Sequence, residues 1–79
     1  MVKNSGLVSR EAVVNRIREA GFTFKRQADR VEIWKKRGST TRVDLRRRDM
    51  YDELYAATIL RQAGLSEQEI AAFFQQIKI

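Results

Sequence analysis

Between Lys25 and Arg48 the chain gathers ten Lys and Arg residues against three carboxylates, Asp29, Glu32 and Asp44. The remaining residues carry six basic and seven acidic side chains, so the positive excess of the protein belongs to this one segment. Guanidinium forks and ammonium groups at such density suit phosphate oxygens, and a contiguous basic segment gains affinity for a polynucleotide largely by releasing counterions. The same pattern also describes a solvated basic surface that keeps a small protein dissolved. One ring, Trp34, stands among the cations, and unpaired bases stack on such rings. Its other possible role is to pack beneath the aliphatic stems of Lys36 and Arg42.

Acid–base and covalent chemistry have few candidates. The sequence has neither His nor Cys, which removes imidazole catalysis, thiolate nucleophiles, zinc fingers and disulfides. Asp44 lies between Arg42 and Arg46, where ion pairing accounts for it, and Asp49 and Asp52 read as helix-start residues. No spaced metal-ligand cluster or Gly-rich phosphate loop is present, so neither a metal nor a cofactor is expected, and no catalytic residue is assigned.

The positioning elements follow from periodicity. At 79 residues, 43% of them apolar, one small domain is expected, too small for a large enclosed catalytic cavity. Residues 1–8 show no periodicity and read as a flexible lead-in without the apolar block of a secretory signal. A single domain then spans 9–79, and a cytoplasmic location is expected. Ser9 caps a first helix over about 10–20, in which Val13, Val14, Ile17 and Ala20 share a face and Gly21 supplies the stop. Three strands follow: Phe22 to Gln27, a second around Val31 to Lys36, and a third around Val43 and Leu45. This alternation predicts that Val31, Ile33, Val43 and Leu45 meet the helices, while Trp34, Lys36, Arg42 and Arg46 share the opposite, wet face.

Asp49 is the expected cap of a second helix bearing Tyr55, Ala56, Ile59, Leu60 and Ala63 on its apolar stripe, with Gly64 ending it. Ser66 and Glu69 form a capping box, and Leu65 and Ile70 a hydrophobic staple, ahead of Phe73, Phe74 and Ile77. The order α-β-β-β-α-α predicts an α+β fold, a three-stranded antiparallel sheet with helices on one face. The nucleic-acid-binding candidates are Lys25, Arg26, Arg30, Trp34, Lys36, Arg42, Arg46, Arg47 and Arg48. Arg46 to Arg48 precede a helix start, where backbone amides also receive phosphate. No helix carries the concentrated basic face of a DNA-recognition helix.

Several strings, in this order, resemble the HicA family of messenger-RNA interferase toxins. ILRQAGLS, residues 59–66, matches an uninterrupted block of the family pattern. AGFTFKRQ is similar to its helix-ending Gly-aromatic turn followed by Arg-Gln; EIW at 32–34 matches a common strand, and VDL at 43–45 takes the place of the third strand. The resemblance implies a double-stranded-RNA-binding-domain-like fold, messenger RNA as ligand and a HicB-type antitoxin as partner. The family reads Arg-Gln-Lys-Gly-Ser-His before Glu-Ile-Trp, the His being its catalytic residue; here Asp29, Arg30 and Val31 replace Gly-Ser-His. A second family His would fall at about Arg48. The resemblance with its chemistry removed implies RNA binding without efficient cleavage. Cleavage by other residues and docking of an acidic protein partner are the competing expectations.

Overall fold

The computed structural model describes residues 7–77. Its elements run β1 (Leu7–Ser9), α1 (Arg10–Glu19), β2 (Phe22–Gln27), β3 (Val31–Lys36), β4 (Arg42–Arg46), β5 (Met50–Asp52), α2 (Glu53–Gln62) and α3 (Glu67–Ile77). This is a small α+β fold in which β2, β3 and β4 form an antiparallel sheet in sequential order. The lead-in expected over 1–8 lies outside the described residues up to position 6, and beyond that it is structured. Leu7 to Ser9 pair antiparallel with Met50 to Asp52 in a two-stranded ribbon, which sets Val8 opposite Tyr51. Both of those side chains are buried.

Helix boundaries follow local chemistry. Ser9 Oγ accepts the amide of Ala12, and Gly21, at φ 99°, turns the chain out of α1 in a conformation costly to any residue with a Cβ. The cap of α2 is Asp52, whose carboxylate accepts the Tyr55 amide at 2.7 Å, and not Asp49 as the sequence suggested. The intervening residues are held in the ribbon with β1, so the helix starts three residues later than a lone Asp signal predicts. At α3 the capping box forms in full: the Ser66 amide donates to Glu69 Oε1 at 2.8 Å and the Glu69 amide to Ser66 Oγ at 3.1 Å. Those bonds from Ser66 hold the Glu69 carboxyl below its ordinary range.

Strand register decides which side chains enter the core. Trp34 stands opposite both Phe24 and Val43, and Glu32 opposite Leu45. Phe22, Trp34, Val43 and Leu45 therefore share the face on which α1 and α2 pack, and they form one buried cluster with Val13, Ile17, Leu60 and, from α3 behind α2, Phe73. The expected phase of β3 is reversed. Trp34 is 3% exposed, and Ile33 and Val31 belong to the opposite face. An indole buries more apolar area than either aliphatic side chain, so the register that puts it inside prevails. This register also brings Glu32 inward, where its carboxylate accepts from Arg10 at the start of α1 and from Trp34 Nε1 at 3.2 Å. A half-buried acid with two donors escapes the cost of unpaired burial.

Candidate nucleic-acid interface

The outer face of the sheet consists of cross-strand rows. Thr23, Lys35 and Arg42 form one; Arg26, Ile33 and Asp44 a second; Val31 and Arg46 a third. Lys25 is the extra residue of a β-bulge between Phe24 and Arg26, and the bulge brings Arg26 onto this face. Ile33 is 4% exposed, yet it stands outside the contiguous core. It shares a concavity of about 340 Å³ with Lys25, Arg26, Lys35 and Arg42. The methylene stems of long cations are what this face offers as cover, leaving the charged heads in water. An aliphatic floor thus holds four cationic side chains around itself.

Electrostatics at this end of the sheet are uneven. Lys35 lies directly opposite Arg42, and like charges so placed repel. Arg42 is partly offset by Asp44, which accepts from Nε at 2.8 Å and from Nη2 at 3.1 Å. Those bonds hold the Asp44 carboxyl below its ordinary range, against a smaller opposing effect of burial. Among the described residues no salt bridge joins Lys25, Arg26 or Lys35 to a carboxylate.

At the other end, Arg30 from the β2–β3 turn meets Arg46, Arg47 and Arg48 around a concavity of about 480 Å³ that also includes Asp29 and Val31. Arg46 is fixed there through Tyr55. Its guanidinium lies 4.5 Å from the centre of that ring, and the Tyr55 hydroxyl accepts the Arg46 amide and donates to the Asp44 carbonyl, each at 3.1 Å. Tyr51 donates to the Arg46 carbonyl at 2.5 Å. Burial pushes the Tyr51 hydroxyl up to about 12, with the Arg10 guanidinium pulling the other way. Two phenols from β5 and α2 thereby occupy outward-facing backbone groups of β4, an edge strand.

Of the residues expected at the interface, Arg26, Arg42 and Arg46 occur in the rows of the outer face, Lys25 and Arg30 border it, and Arg47 and Arg48 are exposed beside Arg30. Two expectations fail. Trp34 lies in the core, with Phe24 edge-on at 5.8 Å and the Arg18 guanidinium 5.4 Å from its centroid, so it presents no stacking surface on the outer face. Lys36 belongs to the helix side, opposite Phe22 and against Gly21. Lys35, which sequence reasoning passed over, takes the position assigned to Lys36. Its signal was the same alternation read one residue out of phase.

No group of three His, Cys, Asp or Glu residues poised for a metal occurs among the described residues, and no described helix is long and apolar enough to cross a membrane. Compared with known families, curated proteins and solved structures, the chain matches none.

Proposed function

We propose that the protein binds RNA through the outer face of its β2–β3–β4 sheet and does not cleave it efficiently. The observation that carries this reading is the cation cluster over Ile33: Lys35 and Arg42 repel across the strands, a cost that an anionic ligand would relieve. Arg46, held over Tyr55, adds a guanidinium fixed in orientation before any ligand arrives. The HicA-like strings supply the choice of RNA, and with it a double-stranded-RNA-binding-domain-like arrangement and a cytoplasmic location. Efficient cleavage is not proposed because the family's catalytic His position is Val31, whose side chain cannot exchange a proton, and the chain has no other imidazole. The HicA-like strings, and not the geometry of the face, add a HicB-type antitoxin as the partner to be tried.

Titration of a labelled RNA containing both helical and unpaired regions, at several salt concentrations, tests the proposal. Binding should weaken steeply with salt, and Lys35→Gln should reduce the log–log slope by about one. Absence of binding at low salt, or a slope indifferent to Lys35, Arg26 and Arg42 substitutions, overturns it. The same samples run on a denaturing gel report cleavage; rapid, saturable scission would overturn the non-catalytic part.

A further inference from the structure

All seven aromatic residues of the chain are placed, and none projects from the strands onto the outer sheet face; Tyr55 of α2 borders it, sharing a concavity with Val31, Arg42, Asp44 and Arg46. Phe22, Trp34 and Tyr51 are in the core with Phe73, Phe74 packs against it, and Phe24 shares the face of Trp34. Tyr55 stands on α2 with its ring under Arg46 and its hydroxyl committed to β4. What the face offers is cations around aliphatic carbon. Single-stranded nucleic acid is ordinarily held by bases stacked on rings, which offsets the loss of freedom of a flexible strand. A double helix is already ordered and needs only phosphate contacts to be held.

The cations are also divided in a way that suits two strands. The Lys35–Arg42 row and the Val31–Arg46 row are four residues apart along the strands, about 13 Å at the usual rise. Arg26 and Lys25 extend the first group, Arg30 and Arg48 the second. Between them on β3 and β4 lie Ile33 and the Arg42-bound Asp44, and the cation of that row, Arg26, stands at its β2 edge beside the first group. Two rows of phosphates flanking a groove would meet the two groups and pass over the middle.

We infer that the outer sheet face takes double-helical RNA, reading its phosphates and not its bases. This deepens the proposed function and depends on it. RNA is favoured over DNA by groove shape: A-form duplexes present a wide, shallow minor groove to a flat surface. The grooves of B-form DNA admit a helix or a two-stranded ribbon, narrower than three adjacent strands.

The test is fluorescence anisotropy with four probes of about 16 base pairs or nucleotides, a length that spans two successive minor grooves of A-form RNA. They are two RNA duplexes of unrelated sequence, a U-rich single strand and a DNA duplex. The expected result is equal affinity for the two RNA duplexes within about twofold, and binding of the single strand weaker by ~10-fold, the size of effect one stacked base can supply. A single strand bound as tightly as the duplexes, or a strong preference between the two duplex sequences, overturns the inference while leaving RNA binding intact. Equal binding of the DNA duplex overturns its RNA component. Failure of every probe to bind overturns the proposed function itself.

Discussion

The two faces of the β2–β3–β4 sheet are built from the same three strands, yet apolar residues do different work on each. On the helix side Phe22, Trp34, Val43 and Leu45 are covered by other apolar side chains, so their burial stabilises the fold directly. On the outer side Ile33 is buried as completely as Trp34, but the surroundings there are Lys25, Arg26, Lys35 and Arg42. Burial fraction alone does not tell a core position from the floor of a charged surface; the identity of the covering atoms does. The inner face holds the molecule together, and the outer face holds charges in place.

The largest expected effect tests the inner face. Trp34→Ala removes a buried indole and leaves Glu32 without one of its two donors, and should cost about 3–5 kcal/mol. In urea denaturation followed by circular dichroism the variant should be mostly unfolded. Ile33→Ala should cost about 2 kcal/mol, the low end for an aliphatic truncation, because flexible stems can close over the gap. Equal losses at the two positions would show that Ile33 is an ordinary core residue and would erase the contrast between the faces.

An effect nearly as large concerns the buried phenol that ties β5 to β4. The Tyr51 hydroxyl is raised from 10.0 to about 12 in the fold, so its neutral form is favoured when folded. Stability from this group is complete below pH 10 and is lost as pH rises through 12, since the unfolded chain releases the proton first. The loss should reach about 2–3 kcal/mol across that window. Tyr51→Phe should flatten this alkaline decline in denaturation midpoints, while lowering stability at neutral pH through the lost bond to the Arg46 carbonyl.

The sequence made much of this fold legible where the signals were local. Ser9, Gly21, Gly64 and the Ser66–Glu69 box act within a few residues, and the helices begin or end where those residues require. The phase of β3 was not local. Val31 and Ile33 read as one apolar face and Trp34 as a lone ring on the other; the larger indole favours the second face only once its neighbour Glu32 has an inward partner, and that partner, Arg10, is twenty-two positions away. The β1–β5 ribbon escaped for a related reason: three residues per strand are too few to show alternation, and pairing them depends on the whole intervening chain. The gathering of cations at this part of the fold was legible because charge density does not depend on phase, whereas Trp34 and Lys36 were placed on the wrong face and Lys35 was passed over because face membership does.

A smaller effect sharpens the comparison at the sheet edge. Tyr55→Phe keeps the ring beneath Arg46 but releases the Arg46 amide and the Asp44 carbonyl of β4. It should cost about 0.5–1.5 kcal/mol, and the uncovered edge should promote concentration-dependent association measurable by light scattering. Tyr55→Leu removes the stacking as well and should weaken RNA binding further than Tyr55→Phe does.

The smallest expected change in stability comes with the most pointed change in binding. Asp44 is the one acid within the outer rows, and its carboxyl, exposed and held low by Arg42, contributes a modest stabilisation at neutral pH that is lost as pH falls through its lowered folded value. Asp44→Asn should leave the neutral-pH denaturation midpoint nearly unmoved and remove that small acid-side dependence. With its partner neutral, Arg42 is free to meet phosphate, so RNA affinity should rise and the salt slope steepen by about one. An Asp44→Asn protein that binds no more tightly, at any salt, would mean that Arg42 faces water and not the ligand, and would leave Lys25, Arg26 and Lys35 as the contacts of that end of the face.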